Sequence, residues 1–222
     1  MKIYYLENWS KDAAEMIQLS VESALSHQGK CSVLLTGGRS ALALYKEWAL
    51  LPAFQGLKNT NFYLGDERCL PLNHLDSNYL MITRSLFLYG VPEGCTFNFF
   101  DANASDLNEE IERYQNLLPE YLDVALFGIG DDGHIASIFP HSPISENSNS
   151  RLALTKATKP PILRLTITPK VISTCHNIFA LAPGKKKAQV CNSIVEDGAG
   201  GGFISLPAKL IKDSSWLLDK ND

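Results

Sequence analysis

Apolar residues recur along the chain at two different spacings, and each spacing predicts a different element. Between residues 10 and 27, apolar positions such as Ala13, Met16 and Ile17 follow the three- and four-residue spacing of one helix face. A short apolar run over 31–36 then stops at a pair of glycines, which is typical of a buried strand. The pattern therefore predicts a helix followed by a strand that is covered on both faces.

The same alternation continues to the end of the chain. The predicted helices beyond the first are 41–51, 77–88, 105–118 and 185–195, and the other predicted strands are 1–6, 61–64, 122–127, 151–155, 162–166, 177–182 and 215–218. Alternating strands and helices predict an α/β fold. We expect a mostly parallel twisted sheet, doubly wound and Rossmann-like, with helices on both faces and a small additional lobe of strands. We expect a single domain over 1–222.

The composition narrows the class of protein. Apolar residues make up 45% and charged residues 20%, as in globular chains, and a net charge of −4 without a basic stripe argues against a nucleic-acid partner. The five cysteines form no Cys-x-x-Cys pair, which favours a reducing compartment over a disulfide framework. Charge appears early in the N-terminal segment, and no apolar run approaches the roughly 20 residues of a membrane span. We therefore expect a cytoplasmic protein without a membrane partner.

Three segments rich in glycine or charge follow predicted strands, at 36–40, 65–68 and 128–134. Ligands of open α/β sheets bind beyond the carboxyl ends of the strands, so we expect these segments to converge on one rim. The polar loops at 141–150 and 197–202 are either lids over that rim or plain surface loops.

The first segment places Gly37 and Gly38 between a strand and a helix, with Arg39 directly behind them. Glycines let the backbone approach an anion, and the start of a helix offers free N–H donors and a positive dipole end. The alternative is a tight turn without a ligand.

The second segment contains Asp66, Glu67 and Arg68 directly after an apolar strand. Arg68 could hold a phosphate through two hydrogen bonds. The alternative is that these three charges satisfy one another. Further along, Asp76 or Ser77 is expected to cap the next helix.

The third segment, from Gly128 to Pro140, contains the Gly-x-Gly-x-x-Gly pattern of dinucleotide-binding sites. That fingerprint needs a full helix behind it, and Pro140 leaves room for about a turn or two, so we reject it. His134 instead lies at the end of a strand beside Asp131 and Asp132. A neutral imidazole there can take a proton from water, and an adjacent carboxylate can fix its tautomer. We predict that His134 is a catalytic base rather than a structural histidine.

Two further cations are candidates for anion binding. Arg164 lies in an otherwise apolar strand, where an unpaired charge is costly, so it requires a partner from the protein or a ligand. Lys187 lies at the start of a helix, where a solvated position is the alternative. The chain has no Gly-x-Ser-x-Gly elbow, no Walker A motif and no dense histidine spacing, so we predict no metal site.

Six segments, in order along nearly the whole chain, resemble those of the 6-phosphogluconolactonase family, within the glucosamine-6-phosphate isomerase/6-phosphogluconolactonase superfamily. They are the Leu-Thr-Gly-Gly turn at 35–38, the block at 66–79, the most specific block at 128–140, the strand at 164–168, the helix start at 184–188 and the closing strand at 216–219.

The resemblance implies hydrolysis of 6-phospho-D-glucono-1,5-lactone to 6-phosphogluconate, the second step of the oxidative pentose phosphate pathway. It implies a small-molecule sugar-phosphate lactone as partner and no metal or organic cofactor, and we expect a monomer or weak homodimer. It also implies that His134 is the base and that Asp132 supports it. The residues expected to bind the substrate and its phosphate are Gly37, Gly38, Arg39, Asp66, Arg68, Arg164 and Lys187.

Two alternatives remain open. Glucosamine-6-phosphate deaminases share the sheet and the Asp-Gly-His block, but they follow it with a glutamate that takes part in ring opening. Phe139 occupies that place here and cannot carry a proton, which favours the lactonase. A non-catalytic sugar-phosphate sensor would have lost its catalytic residues, whereas this chain keeps His134 and Asp132.

Overall fold

The structure is a computed structural model that describes residues 1–144, 149–196 and 206–222. Its strands, in chain order, are β1 (Lys2–Leu6), β2 (Cys31–Leu35), β3 (Thr60–Leu64), β4 (Asp66–Arg68), β5 (Thr96–Asn98), β6 (Leu122–Gly128), β7 (Leu152–Lys156), β8 (Leu163–Ile167), β9 (Cys175–Leu181) and β10 (Ser215–Asp219). Its α-helices are α1 (Trp9–Gln28), α2 (Arg39–Leu50), α3 (Pro52–Gln55), α4 (Asn78–Ser85), α5 (Leu107–Leu117), α6 (Pro169–Ile172) and α7 (Lys185–Glu196), and a 3-10 helix covers Pro207–Ile211.

A seven-stranded parallel sheet forms the main layer, in the order β1-β10-β9-β6-β2-β3-β5. Every residue of β2 is buried, so both faces of the sheet are covered at its centre. The predicted α/β fold with a mostly parallel sheet is confirmed. No helix in the described ranges is long and apolar enough to cross a membrane.

A second sheet of three antiparallel strands, in the order β4-β8-β7, forms the predicted small lobe. Gly65 joins β3 of the main sheet directly to β4, and its carbonyl accepts a hydrogen bond of 2.9 Å from the Ile167 backbone. The register of β4 and β8 places Arg68 opposite Arg164. The small lobe therefore stands at the carboxyl end of β3, beside the rim where a ligand was expected.

The largest departures from the predicted elements lie between residues 65 and 98. The charged segment 66–68 was assigned to no element from the sequence, but it forms the strand β4, because its partner β8 supplies the hydrogen bonds. The strand β5 was not predicted at all. Ser77, not Asp76, caps α4, since its hydroxyl accepts a hydrogen bond from the Leu80 backbone. Helix α4 ends at Ser85, three residues earlier than predicted.

The other predicted elements lie within a few residues of their observed bounds. After β6 the chain forms turns and isolated bridges rather than a helix, so the rejection of a dinucleotide fingerprint was correct. The two loops considered as lids include 145–148 and 197–202, which lie outside the described residues.

Candidate active site

His134 lies on a tight loop that follows β6. The loop is closed by a hydrogen bond of 2.9 Å from the Gly130 backbone N–H to the His134 carbonyl. Gly130 has to be a glycine here, because a Cβ at this position would lie 2.1 Å from His134 Nδ1 and 2.6 Å from Asp132 Oδ1. Gly133 adopts a φ of +78°, a conformation that glycine reaches without strain. These glycines let the loop fold back so that the imidazole meets the carboxylate beside it.

Asp132 is the carboxylate that orients the histidine. Its Oδ1 lies 2.5 Å from His134 Nδ1, whereas Asp131 forms an ion pair of 3.2 Å with Lys186. Partial burial raises the pKa of Asp132, but the charge of His134 and the hydrogen bonds from its ring and backbone outweigh burial and lower that pKa. When the imidazole is neutral, an ionised carboxylate at Nδ1 requires the proton on Nδ1 and leaves Nε2 as a hydrogen-bond acceptor. The two side chains are arranged like a general-base histidine and the carboxylate that orients its ring.

The glycine turn that follows β2 forms a second wall. Gly38 precedes α2 with a φ of +97°, and the Lys187 ammonium donates a hydrogen bond to the Ser40 hydroxyl in the first turn of that helix. Burial lowers the pKa of Lys187; Asp131 opposes this shift and Arg39 adds to it. A helix start beside a half-buried ammonium is a favourable place for an anion. Lys187 is thus half-buried against α2 rather than fully solvated.

Two arginines form a third wall. Arg68 and Arg164 face each other across β4 and β8, and among the described residues neither Nε has a hydrogen-bond partner. Arg164 is only 9% exposed, and burial together with the nearby Arg68 charge lowers its pKa. Arg68 is half-buried and donates from Nη1 to the Asp76 carbonyl, whereas Arg164 is buried. Two neighbouring guanidiniums that each keep an unpaired Nε donor are suited to binding an anion.

Asp66 lies at the base of the cleft, where polar neighbours hold its carboxylate. Ser137 Oγ donates to its Oδ2 at 2.7 Å, and Asn78 Nδ2 donates to its backbone carbonyl at 2.8 Å. The sequence did not single out Ser137 or Asn78 as functional residues. Both residues do stand in blocks that carried the resemblance, Asn78 in the block at 66–79 and Ser137 in the block at 128–140, but neither has a signal of its own.

These walls enclose one open cleft of about 550 Å³. All nine residues predicted from the sequence line it, namely Gly37, Gly38, Arg39, Asp66, Arg68, Asp132, His134, Arg164 and Lys187. The cleft is also lined by residues that were not predicted, among them Thr36, Ser40, Asn78, Ser137 and Lys159. Within the described part of the chain, no group of three or more His, Cys, Asp or Glu residues is placed to hold a metal ion. The cleft thus combines a histidine–carboxylate pair with five cations.

Phe139 packs against the catalytic candidate. Its ring centroid lies 4.9 Å from that of His134, with the two planes tilted by 46°. The phenyl ring therefore fills the space beside the imidazole with an apolar surface.

The sequence pattern of a known family, the glucosamine-6-phosphate isomerases/6-phosphogluconolactonase, matches residues 6–218 of this chain. The chain belongs to this family. A protein of rice (Oryza sativa subsp. japonica) named probable 6-phosphogluconolactonase 2 is 30% identical to it, over 97% of this chain and 85% of its own length.

Solved structures agree with this family assignment. The crystal structure of 6-phosphogluconolactonase from Thermotoga maritima is 27% identical, with a TM-score of 0.82 over 99% of both chains. A monomeric glucosamine-6-phosphate deaminase reaches the same TM-score of 0.82 at 21% identity, over 99% of this chain and 98% of its own. At that identity the likeness to the deaminase shows the fold alone. Since both enzymes share the fold, the residues of the site have to distinguish between them.

Proposed function

We propose that this protein hydrolyses 6-phospho-D-glucono-1,5-lactone to 6-phospho-D-gluconate, the second step of the oxidative pentose phosphate pathway. The observation that carries the proposal is the pair of His134 and Asp132, 2.5 Å apart, in a cleft lined by arginines and lysines. The names of the rice and Thermotoga relatives support the same activity. A lactone is an activated ester, so a positioned water, a base and cations near the oxyanion are sufficient for its hydrolysis.

The proposed reaction begins when Nε2 of His134 takes a proton from a water whose oxygen attacks C1 of the lactone. Asp132 holds the proton on Nδ1 and stabilises the imidazolium that forms. Negative charge develops on the carbonyl oxygen, and a nearby cation stabilises it. The bond from C1 to the ring oxygen then breaks, and the imidazolium returns its proton to that oxygen. The new carboxylic acid loses its proton to solvent.

The remaining walls are proposed to hold the rest of the substrate. The turn at Gly37 and Gly38, with Lys187, offers backbone donors and an ammonium, and Arg68 with Arg164 offers free guanidinium donors. We propose that these two groups share the binding of the phosphate and of the developing oxyanion, with Arg39 and Asp66 completing the substrate site.

Phe139 supports the lactonase over a deaminase. Ring opening of glucosamine 6-phosphate needs an acidic group at this place, and a phenyl ring 4.9 Å from the His134 ring cannot transfer a proton. We therefore expect no ammonia release from glucosamine 6-phosphate. Tight binding of a sugar phosphate without turnover would instead favour a non-catalytic sensor.

His134→Ala tests the proposal, with His27→Ala as the matched control because His27 is an exposed histidine on α1. Lactone hydrolysis is followed after subtraction of the spontaneous rate, with phosphorylated and unphosphorylated lactones side by side. Removing the base should lower kcat by about a hundredfold or more. The control should keep the wild-type rate. A folded His134→Ala protein with the wild-type rate would rule out this mechanism.

We also propose that the protein acts in the cytoplasm as a monomer or weak homodimer, without a metal or an organic cofactor. Five free cysteines, as in this structure, fit a reducing compartment. Light scattering at several protein concentrations tests the oligomeric state, and activity after exhaustive chelation tests the independence from metals.

A further inference from the structure

Glu67 lies between two residues of the cleft, yet its own side chain does not reach the cleft. Asp66 and Arg68 both line the cleft, and side chains alternate along a strand, so Glu67 points to the opposite face of β4. It is fully buried, with an exposure of 0%. A buried carboxylate is costly unless it is well hydrogen-bonded, so its surroundings indicate what it does.

Four hydrogen bonds converge on the Glu67 carboxylate. Its Oε1 accepts from the backbone N–H groups of Arg68, at 2.7 Å, and Asn78, at 2.8 Å. Its Oε2 accepts from the Ser77 hydroxyl, at 2.9 Å, and the Tyr79 backbone N–H, at 2.7 Å. Burial raises the pKa of Glu67, while these four hydrogen bonds oppose that shift. Three of the four donors belong to the start of α4, where the helix dipole also favours a negative charge.

The start of α4 in turn contacts two walls of the cleft through Asn78. The Asn78 amide nitrogen donates to the Asp66 carbonyl at 2.8 Å and lies 3.4 Å from its Oδ1. The other side of the same amide lies against Gly37, where a Cβ would come within 2.0 Å of Asn78 Oδ1. Asn78 thus joins the strand that carries Asp66 to the glycine turn, and Glu67 fixes the backbone from which Asn78 extends.

We propose that Glu67 is a positioning residue for substrate binding, which holds Asp66, Arg68 and the Gly37 turn at the spacing that the sugar phosphate requires. The inference rests on the proposed lactonase function, because it assigns these residues to the substrate. His134 and Asp132 lie on a separate loop that is closed by its own hydrogen bonds. Glu67 therefore affects the binding of the substrate more than the chemical step.

Glu67→Gln tests this assignment, because glutamine keeps the size of the side chain but turns an NH2 group toward backbone N–H donors. At least one donor at the start of α4 then loses its acceptor. We expect KM for the phosphorylated lactone to rise roughly tenfold or more, since small displacements of binding groups are costly. We expect kcat to change by less than about threefold, the pattern of lost substrate binding.

Glu110→Gln is the matched control for loss of a buried carboxylate. Glu110 is 8% exposed on α5, accepts a hydrogen bond of 2.7 Å from the Asp101 backbone and does not line the cleft. This variant should lower thermal stability but leave KM within about twofold of wild type. If Glu67→Gln loses stability in the same way and keeps the wild-type KM, Glu67 is merely structural and the proposal is wrong. A fall in kcat at unchanged KM would overturn it as well.

Two further measurements cover the remaining outcomes. If Glu67→Gln does not fold, Ser77→Ala removes one of the four hydrogen-bond donors and leaves the Glu67 carboxylate in place. This variant should also raise KM, and an unchanged KM would contradict the proposal.

Calorimetric titration with inorganic phosphate measures anion binding without turnover. Wild-type protein that binds phosphate but does not hydrolyse the lactone contradicts the proposed function alone, whereas equal phosphate affinity in wild type and Glu67→Gln contradicts the role of Glu67.

Discussion

Lys187 is a cation of the cleft whose pKa is lowered. Burial lowers its pKa, and the neighbouring Arg39 lowers it further against the opposing effect of Asp131. An arginine side chain, in contrast, stays protonated throughout the working range of an enzyme. A lysine with a lowered pKa is charged below that pKa and neutral above it. Rising pH should therefore weaken the proposed anion site at Lys187.

We predict that the affinity of the wild-type protein for inorganic phosphate falls as the pH rises, at pH values below the ordinary pKa of a lysine, and that it falls much less in Lys187→Arg, because arginine stays charged. Calorimetric titrations at several pH values measure this directly, without interference from spontaneous lactone hydrolysis. The same decline in both proteins would show that Lys187 does not contribute its charge to the site.

The residues of the site differ in how far the sequence could predict them. His134 and Asp132 were predicted because a histidine beside carboxylates and glycines at a strand end is unusual, and the structure brings the two together. Ser137 was missed because a serine is ordinary in any loop. Its contact with Asp66 spans 71 positions, and such a distance leaves no local pattern.

Among the elements, β4 shows why a local pattern can mislead. Three consecutive charged residues have low strand propensity, so no strand was predicted at 66–68. The structure makes them a strand because β8 supplies the backbone partners and the start of α4 satisfies the Glu67 carboxylate. Apolar strands such as β2 and β6 were predicted correctly, since their own residues are apolar and therefore indicate burial. A strand that is stabilised by distant polar partners has no such signature.

One link between helix α5 and the small lobe is the side chain of Arg151. Arg151, next to the start of β7, donates from Nη1 to the carbonyls of Leu118, at 2.8 Å, and Gln115, at 3.2 Å, and from Nη2 to the Pro119 carbonyl. These carbonyls lie at the end of α5, where no further helical N–H is available and a cation is favourable. Arg151 lies away from the cleft, so it should affect stability and not catalysis.

We predict that Arg151→Gln lowers the free energy of unfolding by about 1–3 kcal/mol, the cost of leaving partly buried carbonyls without donors. KM and kcat should stay at wild-type values. Lys46→Gln, at an exposed position of α2, serves as the control and should leave the free energy of unfolding nearly unchanged. Urea unfolding measures the free energy of unfolding of both variants. Equal unfolding midpoints for the two would show that Arg151 does not stabilise the end of α5.

At the scale of the whole molecule, the order of the strands ties the two ends of the chain together. The last strand, β10, lies between the first strand, β1, and β9, so the main sheet is completed only when the end of the chain is in place. The hydrophobic core is also continuous, because it includes Leu165 and Ile167 of the small lobe together with the residues of the main sheet. Because β10 completes the main sheet and the core extends into the small lobe, we expect the two sheets to unfold together.

The single domain expected over residues 1–222 is therefore a prediction about cooperativity. The buried Trp9, Trp48 and Trp216 report on the main layer, so fluorescence alone would not detect separate unfolding of the small lobe. Hydrogen exchange in increasing urea resolves the two sheets. We expect the slowest amides of β8 to exchange with the same free energy and the same dependence on urea as those of β6, because both are exposed only by global unfolding. A lower free energy for β8 would show that the small lobe opens on its own, and that the wall carrying Arg164 can leave the cleft while the main sheet stays folded.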